Sequence, residues 1–317
     1  MRATRKLAYF LRPYWRSALL APLLMVLEVA MDLTQPWLIE RIVDIGIARS
    51  DLNFVVNTGL LMVAFALIGL VGGGGCTIFA VLAAQGFGAD LRGSLFRKVQ
   101  SLSFGNLDRL ETGKLITRLT NDVTQVQEVV MIVLRVMVRV PLLLIGSLIM
   151  AVFTSPKLAL LFIVLIPIIV IMLILIINKT YPMYSEVQRR LDALNTVMQE
   201  NLAGVRVVKA FARNSHEQER FQQTNDRLMT QSIAVVRTSA VTMPLMMLAV
   251  NAGVVAVIWL GGISVTVGEL QIGALIAFIN YLMQALNSLM QVSLLVMRVA
   301  RAEESSQFES NCAECIG

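Results

Sequence analysis

The sequence predicts an all-α, polytopic membrane protein with six long transmembrane helices that continue into cytoplasmic extensions. Its composition is the first reason: 56% of the residues are hydrophobic and 15% are charged, whereas a soluble domain carries about a quarter charged residues. The second reason is the run at 158–177, LALLFIVLIPIIVIMLILII, which has no polar side chain. A helix of about 20 residues crosses the roughly 30 Å hydrocarbon core of a bilayer. The third reason is an alternation of short and long connections between such runs.

Further apolar segments have the length of a bilayer span. They lie at about 17–45, 55–85, 129–154, 239–262 and 271–297. The first of them begins only after several basic residues, contains Glu28 and Asp32, and lacks a small-residue cleavage pattern. We therefore expect a membrane span there rather than a signal peptide.

Lysine and arginine residues indicate the orientation of the spans, because basic connections stay in the cytoplasm. The N-terminal residues and the connections at about 86–128 and 178–238 are rich in them, whereas those near 46–54, 155–157 and 263–270 are poor. This distribution predicts six spans with both termini in the cytoplasm, and we expect an integral protein of a bacterial inner or plasma membrane. The net charge of +6 then reflects topology, and we expect no nucleic-acid binding.

The two long connections have the pattern of helices rather than loops. In LNTVMQENLAGVRVVKAFA (194–212) the apolar residues recur at spacings of three and four, which is typical of an amphipathic helix. The first connection shows a similar stripe, broken at Gly105 and at Gly113. We expect helices two to five to continue past the membrane and to be joined in pairs by sharp turns. The tips, at about 105–112 and 213–219, either contact a soluble partner or belong to hairpins with a structural role only.

Four stretches carry a resemblance to a known family. They are YFLRPYWR (9–16), FGNLDRLETGKLITRLTNDVTQVQEVV (104–130), LNTVMQENLAGVRVVKAFARNSHEQERFQQTNDRL (194–228) and GGISVTVGELQIGALIAFINYLMQ (261–284). In that order they resemble the elbow helix, the first and second intracellular loops, and the last outer turn of ATP-binding-cassette (ABC) exporters of the six-helix drug- and lipid-exporter type. The resemblance covers about 1–306, with the elbow helix at about 7–16.

The resemblance implies the fold of the ABC exporter transmembrane domain and a dimer with a second such domain, identical or different. It also implies short coupling helices, at about Gly105–Glu111 and Arg213–Glu219, that dock on ABC ATPase domains. The residues expected at these contacts are Gly105, Asn106, Leu107, Asp108, Arg109 and Glu111 in the first tip, and Phe211, Arg213, Asn214, His216 and Glu217 in the second. The implied function is ATP-driven export of a hydrophobic or amphipathic substrate, with ATP and Mg²⁺ bound by the partner ATPase domain.

The sequence contains no recognisable catalytic motif of its own. The phosphate-loop pattern G-x-x-x-x-G-K-[ST] is absent, because Asp108 stands where its first glycine belongs and Leu115 where serine or threonine is required. The four glycines at 72–75 lie within an apolar segment, where they either weaken helix two or permit close packing. His216 is the only histidine, and we expect it at the surface or in a contact. We expect this chain alone to be neither an enzyme nor a metal-binding or cofactor-binding protein.

The C-terminal residues depart from the family pattern. The family continues through a linker into an ATPase domain, whereas this sequence has the atypical tail 307–317, which we expect to be disordered. Its Cys312 and Cys315 form a single C-x-x-C, a weak metal or redox signal. We expect the ATPase either on a separate chain or lost by truncation. The alternatives for function are an ion-coupled carrier or channel without an ATPase, and a non-functional fragment of a fused exporter.

Ionisable residues within the predicted spans form two pairs with helical spacing. Glu28 and Asp32 lie four residues apart on helix one, and Arg135 and Arg139 lie four apart on helix three. Counted from the outer ends of their helices, Glu28 and Arg139 are at the same depth. Because ionisable groups in the membrane pair or face water, we predict a cluster of these four at or beside the translocation cavity. The alternatives are a structural pair, or arginines that lie nearer the cytoplasmic surface.

Overall fold

The computed structural model describes residues 10–101 and 112–304, with the side chains at 112, 114, 118 and 292–304 excepted. Within these ranges the chain is helical and contains no β-strand, so the predicted all-α class is confirmed. The predicted elbow helix at about 7–16 begins outside the described residues. Its described part is helical from residue 10 and includes a 3₁₀ turn at Arg12–Tyr14.

The described helices are numbered in chain order. They are α1 (Trp15–Arg41), α2 (Leu52–Gln100), α3 (Thr112–Thr117), α4 (Val123–Thr154), α5 (Pro156–Ala203), α6 (Val205–Ala210), α7 (Asn214–Ala240), α8 (Thr242–Thr266) and α9 (Ile272–Glu304). π-Helical segments extend α1 at Ile42–Ile47 and precede α4 at Arg118–Asp122.

Within the described residues, six helical stretches are long and apolar enough to cross a membrane, in agreement with the predicted number of spans. They are Arg12–Ile47, Leu52–Gln100, Leu115–Thr154, Pro156–Ala203, Asn214–Thr266 and Ile272–Gln291. A bilayer needs about 20 helical residues, but α2 has 49 and α5 has 48. These helices therefore continue well beyond the length of a span, as the amphipathic patterns predicted.

The predicted short connections between spans are tight turns, and nearby residues explain why the chain turns there. Asp51 is the N-cap of α2, and its carboxylate accepts a hydrogen bond of 3.0 Å from the backbone N–H of Phe54. Only Ser155, in an extended conformation, separates α4 from α5. Gly268 lies in the turn before α9 with a φ of +81°, a conformation that glycine adopts without steric cost.

The chain divides into two compact units, of which the first contains the described residues up to Phe162 and those from Val254 onward. In this unit α1, α2, α4 and α9 pack together. The core between α1, α2 and α4 consists of Ala21, Met25, Val29, Cys76, Ala80, Ala83, Leu134 and Leu143. Several of these residues are small, and small residues let membrane helices approach closely.

The glycines at 72–75 serve this close packing and do not break the helix, because α2 runs through them without interruption. A Cβ added at Gly72 would lie 3.0 Å from the carbonyl oxygen of Leu24 on α1, and one at Gly75 would lie 2.8 Å from Leu24 Cδ1. Nothing lies within 4 Å of a Cβ at Gly74. The glycines on one side of α2 are thus in contact with α1, while Gly74 faces away from it.

Long-range hydrogen bonds fasten the end of the first span to α9. The carboxylate of Asp44 accepts bonds from the backbone N–H groups of Gly273 (2.6 Å) and Ala274 (3.1 Å), which satisfies free donors at the start of α9. Two turns further along, the fully buried Tyr281 donates its hydroxyl to the carbonyl of Leu33 at 3.0 Å. These bonds fix the register of α9 against the first span.

The second unit comprises Ile163–Gly253 and contains a helical hairpin formed by the end of α5 and by α7. The guanidinium of Arg190 on α5 donates to the backbone carbonyl of Arg227 on α7 at 3.2 Å. Nearer the apolar segments, the hydroxyls of Tyr184 and Ser239 lie 3.5 Å apart. The predicted loop at about 178–238 is therefore a pair of connected helices.

Candidate functional site

The structure brings three of the four residues of the predicted intramembrane charge cluster into contact. Nη2 of Arg139 on α4 lies 3.3 Å from Oε1 of Glu28 and 3.3 Å from Oδ2 of Asp32, both on α1. The spacing of four residues puts both carboxylates on the same face of α1, so that one guanidinium reaches both. Glu28 and Arg139 lie the same number of residues from the predicted outer ends of their helices, which predicted a similar depth in the membrane. Their side chains are in contact in the structure.

Helix α2 contributes a residue to this cluster that sequence reasoning had not assigned to it. A Cβ added at Gly73 would lie 2.7 Å from Oε2 of Glu28 and 2.8 Å from its Cδ. The carboxylate of Glu28 therefore occupies the space left by the missing side chain. The only sequence signal was the glycine run at 72–75, which indicated close packing but not which neighbour lies there.

Arg135, the fourth predicted member, is half-buried and makes no ion pair with any described residue. Nε of Arg139 is buried and has no hydrogen-bond partner among the described residues. Buried donors are normally satisfied. The cluster therefore links α1 to α4 by charge through Arg139, and Arg135 takes no part in the ion pairs.

The first predicted coupling tip cannot be compared with the structure. Its residues lie outside the described ranges: Gly105, Asn106, Leu107, Asp108, Arg109 and Glu111. The flanking helices are described, and Arg92 on α2 donates to Thr124 on α4 at 3.1 Å and to Gln127 at 3.4 Å. The two helices that lead to this tip are therefore held together by polar contacts.

The second tip has a different helix boundary from the predicted one. Helix α5 ends at Ala203, the short helix α6 spans Val205–Ala210, and α7 begins at Asn214. Gly204 interrupts the first helix, and Ala212 has a left-handed φ of +49°, which turns the chain back. The separate short helix thus precedes the predicted segment Arg213–Glu219, whose residues form the end of the turn and the first turns of α7.

Two polar contacts close the hairpin just behind this tip. Nη2 of Arg220 lies 2.6 Å from Oε2 of Glu200, and Nδ2 of Asn201 donates to Oε2 of Glu217 at 3.3 Å. Each contact joins α5 to α7. Glu217, predicted as a partner contact, therefore uses a carboxylate oxygen within the hairpin.

The other predicted residues of the second tip are exposed. The side chain of Phe211 is 76% exposed at the turn between α6 and α7. Arg213, Asn214 and His216 are also exposed around it. Aromatic residues, phenylalanine included, and arginine are enriched in protein–protein interfaces relative to the rest of the surface. The second tip therefore presents an apolar ring together with polar and charged side chains to the surroundings.

No metal centre is found in the part of the chain that the structure describes, where no three histidine, cysteine, aspartate or glutamate residues cluster. Cys76 is buried between apolar residues of α1, α2 and α4. Cys312 and Cys315 lie outside the described ranges.

Comparison with known proteins identifies related membrane domains. Residues 18–289 match the family described as the ABC transporter transmembrane region. An uncharacterized ABC transporter ATP-binding protein of Bacillus subtilis, YfiB, is 37% identical over 95% of this chain and 52% of its own length. An uncharacterized ABC transporter ATP-binding protein of Mycobacterium tuberculosis is 32% identical over 96% of this chain and 51% of its own length.

A more distant relative has a named activity. The ATP-dependent lipid A-core flippase of Syntrophus aciditrophicus is 26% identical over 88% of this chain and 46% of its own length. The chain thus spans about half the length of the curated relatives that it matches.

Proposed function

This chain belongs to the ABC transporter transmembrane-region family, and from that premise we propose that it is the membrane-spanning part of an ATP-driven exporter. Residues 18–289 carry the family match, and six helical stretches long enough to cross a bilayer lie in the same region. In this proposal an ABC ATPase domain, on another polypeptide or in a longer form of this one, binds and hydrolyses ATP with Mg²⁺.

The single observation that carries the coupling proposal is the exposed Phe211 at the tip of a braced hairpin. The Arg220–Glu200 contact holds the two helices together behind the tip, so a force applied at the tip moves both helices. These helices continue as the fourth and fifth candidate spans. A soluble ATPase that grips Phe211 would therefore shift both spans together.

The proposed substrate is hydrophobic or amphipathic, and the direction is export. The direction rests on the resemblance of the loop sequences to exporters. The substrate class is supported by a relative whose name states a lipid substrate, the ATP-dependent lipid A-core flippase of Syntrophus aciditrophicus. The Glu28–Asp32–Arg139 cluster is proposed to lie at or beside the path, where its unsatisfied Arg139 Nε offers a hydrogen bond to a polar group of the substrate.

The proposed working unit is a dimer with a second transmembrane domain, and this chain by itself performs no catalysis. The printed sequence contains no phosphate-loop pattern, which supports placing ATP hydrolysis on the ATPase domain. The exposed apolar residues of the spans, such as Leu70 and Leu175, are suited to lipid or to a partner helix.

The test is reconstitution of the purified chain in vesicles, alone and with the portion of YfiB that this chain does not cover, supplied as a separate protein. The chain alone should hydrolyse no ATP, and the pair should accumulate a hydrophobic fluorescent dye only when ATP is added. A protonophore should leave that accumulation unchanged. Transport by the chain alone that collapses with the protonophore would instead identify an ion-coupled carrier.

A further inference from the structure

The second unit contains a cleft between α5 and the junction of α7 with α8. Its volume is about 370 Å³, within the range of roughly 300–1,000 Å³ that is common for small-molecule sites. Lys179 on α5 and Arg237 on α7 both line it. Neither cation forms an ion pair with another described residue.

The position of the two cations relative to the apolar segments is the same on both helices. Lys179 lies just past the end of the apolar run 158–177, and Arg237 lies just before the apolar segment at about 239–262. Lysine and arginine at the ends of membrane helices hold their charges at the level of the lipid headgroups. The two cations of the cleft are therefore expected at a membrane–water interface. The orientation predicted from the lysine and arginine distribution puts this interface on the cytoplasmic side.

The rest of the lining is mixed. Ile176, Val241 and Leu245 also line the cleft, and along their helices they lie farther into the apolar segments than Lys179 and Arg237 do. The hydroxyls of Thr180 and Thr238 donate to backbone carbonyls four residues earlier, at 2.6 Å and 2.9 Å, and keep lone pairs only.

The hydroxyl of Thr242 differs from those two, because it makes no hydrogen bond with another described residue. Its O–H is therefore available to a ligand in this cleft, which Lys179 and Arg237 also line. Two cations and a hydroxyl donor match an anionic oxygen acceptor such as a phosphate. The adjoining apolar wall matches a hydrocarbon chain. A free inorganic phosphate would interact with the cations and the hydroxyl donor but would make no use of the apolar wall.

We propose that this cleft binds an anionic phospholipid of the cytoplasmic leaflet, with the headgroup phosphate between Lys179 and Arg237 and an acyl chain along Ile176 and Leu245. The proposal rests on the membrane orientation described above and is independent of ATP coupling. Basic pockets between membrane helices at the cytoplasmic surface are suited to anionic headgroups. The bound lipid would link α5 to α7 at the level where both helices leave the membrane.

The test is thermal unfolding of the purified full chain in a neutral detergent, titrated with dioctanoyl-phosphatidylglycerol. Dioctanoyl-phosphatidylcholine is the zwitterionic match, and inorganic phosphate tests the headgroup chemistry alone. The anionic lipid should raise the melting temperature saturably, and the other two ligands should give little shift. Since each surface cation contributes about a factor of five to binding of anionic lipid, Lys179→Gln combined with Arg237→Gln should weaken the apparent affinity about 30-fold.

The matched control removes the same charge at two exposed cations of the same unit, Arg206→Gln combined with Arg227→Gln, and should keep the wild-type affinity. If the cleft double variant does not fold, each single variant is measured and should lose about fivefold. Equal affinity of the cleft variants and the wild type would overturn the proposal. A shift with inorganic phosphate as large as that with phosphatidylglycerol would overturn the lipid assignment. Because no ATPase or nucleotide is present, neither result depends on the proposed transport function.

Discussion

The carboxylate of Glu28 occupies the space that a side chain at position 73 would fill, so that Gly73 and Glu28 fit together across the contact of α1 with α2. The same carboxylate lies 3.3 Å from Arg139 on α4. One glycine thus allows three helices to meet at a charged group within the predicted membrane region. This arrangement leads to the first two predictions.

Gly73→Ala should displace the Glu28 carboxylate, because the added Cβ would lie 2.7 Å from Glu28 Oε2. The carboxylate is the end of a flexible side chain and can move aside, so the expected cost is a weakened contact with Arg139, about 1 kcal/mol relative to Gly74→Ala. Gly74→Ala is the matched control, since nothing lies within 4 Å of its added Cβ, and it should be neutral or slightly stabilising. Thermal unfolding of both variants in detergent makes the comparison. Equal effects of the two substitutions would show that Glu28 does not lie against Gly73.

Glu28 and Arg139 should be energetically coupled. A double-mutant cycle with Glu28→Gln and Arg139→Gln should give a coupling free energy of about 1–3 kcal/mol. Arg139→Gln should be the more harmful single change, because it leaves Glu28 and Asp32 without their shared cation. The same cycle with Arg135→Gln serves as the control and should give less than about 0.5 kcal/mol.

The charge-swapped pair Glu28→Arg with Arg139→Glu should recover part of the expression that each single reversal loses. No recovery, together with a coupling near zero, would exclude direct pairing.

Asp44→Ala should lower stability by about 1–2 kcal/mol, because the backbone N–H groups of Gly273 and Ala274 lose their acceptor at the start of α9. Asp44→Asn keeps one acceptor oxygen and should lose less. The comparison variant Lys157→Gln breaks an exposed ion pair with Glu269, 2.8 Å long, and should change stability by no more than about 1 kcal/mol. An Asp44→Ala variant as stable as the wild type would contradict the capping role.

The proposed topology predicts opposite labelling of two exposed positions. In a background without Cys76, Cys312 and Cys315, Arg49→Cys should react with a membrane-impermeant maleimide in right-side-out vesicles. Gln218→Cys, at the start of α7, should react only after the vesicles are permeabilised. Labelling of both positions from the same side would contradict the cytoplasmic location of the second hairpin, and with it the coupling proposal.

Hydropathy and helical spacing predicted the spans and the long helices, because both depend on local sequence. The contact of Glu28 with Arg139 could also be anticipated, since parallel helices of known ends place residues at calculable depths. The role of Gly73 could not, because a glycine run does not specify its neighbour. The cap of α9 by Asp44 joins residues more than two hundred positions apart and has no local signal.

The second tip shows the limit of local patterns in another way. The family resemblance implied a short coupling helix at about 213–219, where the structure has the end of the turn and the first turns of α7, and the separate short helix is Val205–Ala210. The helix break at Gly204 and the left-handed turn at Ala212 decide this boundary. An alanine gives no sequence signal for a left-handed conformation.

The most direct test of the central claim is co-purification of this chain with the portion of YfiB that it does not cover, expressed as a separate tagged protein. The wild type should be retained, and Phe211→Ala should weaken binding at least about 30-fold, as expected for an interface residue worth about 2 kcal/mol or more. Phe153→Ala is the control: it removes a ring that is similarly exposed, at 81%, near the predicted outer end of the third span. This variant should bind as the wild type does. Unchanged binding of Phe211→Ala, or no binding of the wild type, would contradict the account.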